Sequence, residues 1–270
     1  MSANDKAFTG SIPENYDRHM VPLIFESYAQ DIARRAAALS PKAVLETAAG
    51  SGVVTRALAA TLSADISYVA TDLNPSMLDY AATRQNGDGR ISWRQADAQA
   101  LPFEDATFDL VCCQFGAMFF PDRPSGYREA RRVLKPGGTF LFNVWDRIEE
   151  NIFADDVTNA LATLFPNDPP RFLARTPHGY HDVEVIRSDL AKAGFLDVTI
   201  ETVAAVSRAA SALHAATAYC QGTPLRNEIE ARGADKLTVA TDHAAAAIAE
   251  RHGNGEIAAK ISAHVIMARP

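Results

Sequence analysis

Short apolar runs alternate with amphipathic stretches along the first half of the chain. Leu23, Ile24, Tyr28, Ile32 and Ala36 recur near helical spacing, so Tyr16 to Leu39 is predicted to form a helix interrupted near Pro22. Ala43 to Thr47 is a short apolar strand, and Gly50-Ser51-Gly52 separates it from a helix over Val53 to Leu62. Ile66 to Thr71 is β-rich, and Asn74-Pro75 then marks the cap and first turn of a helix reaching Arg84. Further strands are predicted at Ile91 to Arg94, Phe108 to Cys113 and Thr139 to Val144. The middle one is apolar enough to be covered on both faces. Gly126 to Leu134 reads as a helix stopped by Pro136-Gly137-Gly138. Strands alternating with helices at this spacing imply an α/β fold with a doubly wound, mostly parallel sheet and right-handed connections.

The second half is less regular. Helices are predicted over Ile148 to Leu164 and Val183 to Ala193, the latter stopped by Gly194. Leu196 to Val206 reads as a strand, Ser211 to Gly222 and Asp235 to Arg251 as Ala-rich helices, and Ile257 to Met267 as a last strand. With 270 residues, the expectation is a single domain, 1–270. It comprises an N-terminal helical cover at 14–39, a core sheet at 43–146, a cover loop at 166–182, a helical insert at 207–254 and a last strand at 256–268.

Composition narrows the function. Lys and Arg number 26 against 33 Asp and Glu, a net charge of −7, which lacks the basic footprint of a phosphate-backbone binder. Nucleic acid is therefore not the expected partner. Cys112, Cys113 and Cys220 have no metal-ligand spacing and read as buried thiols of a reducing compartment. No apolar stretch approaches the roughly 20 residues of a membrane span, and Met1 to Gly10 lacks a signal pattern, so a cytoplasmic location is expected.

The chemistry concentrates around Val44-Leu45-Glu46-Thr47-Ala48-Ala49-Gly50-Ser51-Gly52. Glycines between a first strand and a helix allow a sharp turn and let a ligand approach bare backbone. Asp72 closes the second strand 20 residues after Gly52, where a ribose-binding carboxylate belongs in a nucleotide fold. Glu46, at the tip of the first strand, would repel a pyrophosphate but attract a ligand carrying an ammonium and a sulfonium. Thr55 occupies the place of the third glycine of a dinucleotide fingerprint. Both features favour S-adenosylmethionine over NAD or FAD.

These residues resemble the class I S-adenosylmethionine-dependent methyltransferases, in particular the ubiquinone/menaquinone-type subgroup. The resemblance is strongest from Tyr16 to Val144 and weaker to Pro270. Val44 to Gly52 is similar to the family's glycine loop, with Ala48-Ala49 where many members carry Gly or Cys-Gly. Tyr68 to Leu78 resembles the ribose motif and the helix after it, and Gln95 to Phe103 the adenine motif. Phe108 to Phe115 resembles the fourth strand, and Arg131 to Gly138 the turn before the fifth.

The resemblance implies a Rossmann-like seven-stranded sheet with an antiparallel last strand and a helical cover. It also implies S-adenosylmethionine as donor. Donor-binding residues would be Glu46, Ala48, Gly50, Gly52 and Asp72, with Leu73 and Met77 on the adenine faces. Asp97 would accept from the adenine amino group, and the Ala98 backbone would donate to the ring. Gln114 and Phe115 would line the methionine end, and Tyr16 and Met20 would close over the donor.

The acceptor is expected to be a small molecule, in a pocket above Phe115 under the N-terminal helix, the 166–182 loop and the 207–254 insert. No motif selects a general base among Tyr16, His19, His178 and His181, so none is assigned. His178 and His181 have no cysteine partner for zinc. Arg128, Arg131, Arg132 and Lys135 share one helical face and read as solvated. Two other readings share much of this pattern: a non-catalytic donor-binding subunit, and a nucleotide-dependent oxidoreductase, against which Glu46, Thr55 and Asp97-Ala98 argue.

Overall fold

The computed structural model describes residues 14, 16–85, 87–233 and 235–270. The signal-pattern reading of Met1 to Gly10 concerns residues outside that set. Seven strands form one sheet: β1 (Ala43–Glu46), β2 (Ser67–Asp72), β3 (Ile91–Gln95), β4 (Phe108–Gln114), β5 (Leu134–Trp145), β6 (Asp197–Ala209) and β7 (Ile257–Arg269). Their order is β3-β2-β1-β4-β5-β7-β6. The first five pair in parallel, and the reversal comes with the last strands, giving the expected Rossmann-like sheet. The strand order changes direction at β1, which lies between β2 and β4. In open α/β sheets, the carboxyl ends of the strands at such a switch point form the ligand crevice.

The helices, in chain order, are α1 (Glu26–Leu39), α2 (Val53–Thr61), α3 (Pro75–Arg84), α4 (Arg123–Val133), α5 (Ile152–Leu164), α6 (Phe172–Arg175), α7 (Val183–Lys192), α8 (Ala212–Gln221), α9 (Leu225–Glu230) and α10 (Lys236–His252). Tyr16–Phe25, ahead of α1, is wound as a π-helix with Pro22 inside it. A proline there removes an N–H and crowds the preceding turn, and wider π winding is one way a helical path continues past it. The predicted interruption near Pro22 takes this form.

The chain parts into two compact units. One, the sheet unit, comprises Glu26–Val144, Tyr180–Val203 and Ala263–Pro270. Its core includes Ile32, Ala36, Val44, Leu58, Tyr68, Leu110, Cys112 and Leu141, all buried. At the amino end of β1, Asp109 accepts from the backbone N–H groups of Lys42 and Ala43 at 3.0 and 2.8 Å and pairs with Lys135 at 3.0 Å. The lysine and these N–H groups hold its carboxyl below the usual range. Asp109 thus ties β1, β4 and β5 together at the end opposite the crevice.

Two local readings change. Helix α4 begins at Arg123, earlier than predicted, because Asp122 caps it by accepting from the Ser125 N–H. Pro136-Gly137-Gly138 does not separate helix from strand. β5 already starts at Leu134 and runs through it, with a register shift against β4 between Phe108 and Leu110. Proline and glycine are tolerated in a sheet at such irregularities.

The other, helical unit contains the described residues up to Phe25, Trp145–Gly179 and Ala204–Ser262. The π-helical segment, the 166–179 loop and the 207–254 insert, distant in sequence, thus gather in one unit. Helices α5, α8 and α10 pack together within it. Asp156 on α5 accepts from Arg251 and lies 2.7 Å from His252 Nε2, both on α10. The short α9, directly after Pro224, carries no periodic signal long enough to be read from sequence.

Candidate functional site

Within the sheet unit, the loop after β1 is shaped by backbone demands. Thr47 N–H donates to the Cys112 carbonyl, Ala49 N–H to Thr71, and Gly52 N–H to Ala49, each at 2.9 Å. These bonds force left-handed backbone at Ala48 (φ 53°), Gly50 (φ 57°) and Gly52 (φ 81°). A Cβ at Gly52 would also lie 3.0 Å from Ala81 Cβ on α3, so glycine there serves both turn and packing.

Asp72 closes β2 beside this loop. One carboxylate oxygen accepts from Gly50 N–H at 2.9 Å and the other from Asn74 N–H at 2.8 Å. Burial pushes its carboxyl above the ordinary range, while the backbone donors oppose that shift. A carboxylate can accept about four hydrogen bonds, so capacity remains for a diol. Asp72 is therefore braced against the glycine loop at the switch point. The Met77 side chain reaches the same loop, its Cε 3.6 Å from where a Gly50 Cβ would stand. Leu73 is 42% exposed although every neighbour on β2 from Tyr68 to Asp72 is at least partly buried.

The adenine-motif residues follow β3. Ala96 N–H donates to the Asp72 carbonyl at 3.0 Å, which brings the Asp97-Ala98 turn beside the end of β2. Asp97 is exposed and accepts from Gln99 N–H at 2.9 Å. Arg132 stabilises the following segment by donating to the Leu101 and Phe103 carbonyls at 2.9 and 2.7 Å and pairing with Glu129 and Asp105. Glu129 in turn accepts from Leu101 N–H at 2.8 Å. Arg132 is thus not simply part of a solvated basic face. Helical periodicity alone does not reveal that unpaired loop carbonyls lie within its reach.

Glu46, at the end of β1, is enclosed by its neighbours. The structure does not present it as an open charge: it is 1% exposed, and its carboxyl accepts from Thr55 Oγ1 at 2.7 Å and from the Tyr68 hydroxyl. Burial, partly opposed by these donors, pushes its pKa to about 7. Its formal charge therefore gives no clean discrimination between a cationic ligand and a pyrophosphate. Thr55, read as a missing glycine, is the residue that braces it.

At the end of β4, Gln114 pairs with Asn143 of β5, and Phe115 has left-handed backbone with φ 50°. An aromatic residue in that region is a genuine outlier that the surroundings must impose. Asn143 imposes it: the Phe115 N–H donates to its side-chain Oδ1 at 2.9 Å and its backbone carbonyl at 3.2 Å. The Phe115 ring meets Tyr28 edge to face at 5.4 Å between centroids.

Sequence reasoning missed Asn143 and Gly116. A Cβ on Gly116 would stand 2.4 Å from Ala48 Cβ and 2.8 Å from Cys113 Sγ. The methyl that Ala48 adds to the glycine loop thus fits because residue 116 has none. The missing signal was the pairing of an unusual alanine with a distant glycine. Gly116→Ala is expected to destabilise the fold by about 2 kcal/mol through overpacking. Urea denaturation checks this, and the double variant Ala48→Gly/Gly116→Ala should recover much of the loss.

Glu46, Ala48, Gly50, Gly52, Asp72, Leu73, Met77, Asp97, Ala98, Gln114 and Phe115 all lie on the sheet unit's loops and strand ends or the turns and helix starts that follow them. Tyr16 and Met20 belong to the helical unit, where Tyr16 stacks on Phe25 at 5.0 Å and Met20 is buried. Their donor contact rests on the resemblance alone. His178 is buried in that unit, Nδ1 2.9 Å from the Asp146 carbonyl, whereas His181 falls in the sheet unit.

The switch point, glycine loop and terminal carboxylate define a nucleoside-binding α/β protein. Residues 45–142 match the family model described as a methyltransferase domain. The demethylmenaquinone methyltransferase of Clavibacter sepedonicus is 31% identical over 174 residues, 61% of this chain and 70% of that protein. The ubiquinone/menaquinone biosynthesis C-methyltransferase UbiE of Pseudomonas aeruginosa is 30% identical over 168 residues, 58% of this chain and 66% of that one. This chain thus spans about two thirds of the length of these relatives. Among solved structures, Haemonchus contortus phosphoethanolamine N-methyltransferase 2, in complex with phosphomonomethylethanolamine and S-adenosylhomocysteine, shares the fold. Its TM-score is 0.62 at 17% identity, over 98% of this chain and 59% of that one. The chain belongs to the S-adenosylmethionine-dependent methyltransferase family, whose methyl donor is S-adenosylmethionine.

Proposed function

We propose that the chain transfers a methyl group from S-adenosylmethionine to a small-molecule acceptor. The observation that carries this reading is Asp72, braced by Gly50 and Asn74 at the switch point with acceptor capacity to spare. The site suits a nucleoside thioether: left-handed loop backbone lets the ligand approach closely, and Leu73 and Met77 offer apolar surface to a base. Asp72 holds the ribose hydroxyls. Leu73 and Met77 pack on the adenine, with Asp97 and Ala98 reading its edge. Gln114 and Phe115 line the methionine end.

S-adenosylmethionine supplies a methyl already activated by its sulfonium. The protein's task is alignment: it fixes the donor so that the acceptor's lone pair approaches in line with the breaking carbon–sulfur bond. The left-handed turn at Phe115, held by Asn143, fixes one wall of that space. The acceptor loses a proton as it gains the methyl.

No helix among the described residues is long and apolar enough to cross a membrane. The three cysteines are free and buried, and burial raises each thiol's pKa. These thiols support a cytoplasmic setting.

The test is transfer of radiolabelled methyl from S-adenosylmethionine into fractionated small-molecule extracts. Label should move with wild type and fall to background with Asp72→Ala. Donor binding without transfer to any fraction would leave a non-catalytic donor-binding protein.

A further inference from the structure

Arg128, Arg131 and Arg132 on α4, with Lys135 just after it, make the most basic stretch of an acidic chain. Two of the four are committed within the sheet unit. Arg132 pairs with Glu129 at 2.8 Å and Asp105 at 2.7 Å, and Lys135 with Asp109 at 3.0 Å. The other two are not. Arg128 comes only to 3.9 Å from Asp122, with both side chains more than half exposed, where an ion pair contributes little. Arg131 has no hydrogen bond or ion pair among the described residues. It is nevertheless seated. Its Nε, Cδ and Cζ lie 3.1, 3.3 and 3.3 Å from where a Cβ on Gly194 would stand, and Gly194 has a left-handed φ of 90°. The bare backbone after α7 thus receives a guanidinium that has no acceptor.

The three arginines line a cavity of about 780 Å³ whose lining residues all belong to the sheet unit. That volume suits a small molecule. The two acidic side chains in the lining, Asp105 and Glu129, are the ones that Arg132 engages. Pro270 also reaches the cavity and forms an ion pair with neither Arg128 nor Arg131. Leu134, Pro136 and Ala193 add apolar wall. None of the residues assigned to the methyl donor lines this space.

The chemistry of the lining selects the ligand. Residues three apart on a helix are neighbours, so Arg128 and Arg131 offer two planar donor forks side by side. A guanidinium keeps its charge at any ordinary pH and only donates hydrogen bonds, which excludes a metal ion and leaves a neutral alcohol mismatched. Carboxylate and phosphate oxygens match the fork geometry, and two unmatched positive charges call for two negative ones.

We propose that this cavity binds an organic dianion, a phosphate monoester or dicarboxylate on an apolar body. Arg128 and Arg131 hold the anionic oxygens, and Leu134, Pro136 and Ala193 receive the body. The site is additional to the donor crevice and does not rest on the methyltransferase reading.

The experiment titrates the full chain by calorimetry with phenyl phosphate and, separately, with phthalate. Benzyl alcohol is the uncharged match. At least one of the two anions should bind saturably, and benzyl alcohol should not. Binding of phenyl phosphate alone assigns a phosphate head, and binding of phthalate alone a dicarboxylate; either supports the site. Arg128→Ala and Arg131→Ala should each weaken binding about fivefold, the loss of one partly exposed charged contact. Both side chains are exposed, so thermal melts of these variants should match wild type. Arg208→Ala, an exposed arginine outside the lining, should leave the affinity unchanged. Raising salt from about 0.05 M to about 0.5 M should weaken binding. No saturable heat with either anion in wild type would overturn the site. So would an equal response to benzyl alcohol, or wild-type affinity in both cavity variants.

Discussion

Asp72→Ala is expected to weaken S-adenosylhomocysteine binding roughly 100-fold, about 3 kcal/mol. The substitution acts twice. It removes the carboxylate proposed to accept from the ribose hydroxyls, and it releases the Gly50 and Asn74 N–H groups that the same carboxylate holds at 2.9 and 2.8 Å. Asp72→Asn separates these effects, because its amide oxygen can serve only one side and its NH₂ opposes a second backbone donor. It should bind more weakly than wild type and more tightly than Asp72→Ala. Calorimetry of the three proteins at one pH checks the order. Equal affinities for all three would place the ribose elsewhere.

The second large effect concerns Glu46 and pH. Its pKa rises from an ordinary 4.5 to about 7, chiefly through burial, with Asp72 adding to the shift and Thr55, Tyr68 and Arg56 opposing it. Between those values the folded chain keeps a proton that the unfolded chain releases. This contribution to stability is therefore fully present below about pH 4.5 and is lost as pH rises through about 7, in total about 3 kcal/mol. Glu46→Gln cannot titrate. Its stability relative to wild type should improve by about 2–3 kcal/mol between pH 5 and pH 8. Urea denaturation of both proteins at the two pH values measures this with other titrations cancelling. Parallel pH dependences would mean that the Glu46 carboxyl stays ionised throughout.

Much of the sheet unit was legible because its signals are local. The β1–glycine–α2 sequence, the Asn74-Pro75 helix start and the apolar run of β4 each act within a few residues. Asp72 was readable from its distance to Gly52, since the fold places that strand end beside the loop. Other features were hidden because they depend on partners far along the chain. Glu46 read as an open charge, but Tyr68 and Thr55, 22 and 9 residues away, enclose it. Arg132 read as surface charge, but it holds the carbonyls of Leu101 and Phe103. Asn143 carried no signal because its effect is exerted on the backbone of Phe115, 28 residues earlier. In the helical unit, π winding around Pro22 and the short α9 fall outside the periodicities that mark ordinary helices.

The central claim is that the switch-point site binds an adenosyl thioether rather than a dinucleotide. Isothermal titration of the wild-type chain with S-adenosylhomocysteine and, separately, with NAD tests it most directly. The expected result is one site per chain for S-adenosylhomocysteine with micromolar affinity, about −8 kcal/mol, and no measurable heat with NAD. Binding of NAD with none of S-adenosylhomocysteine, by protein shown to be folded, would contradict it.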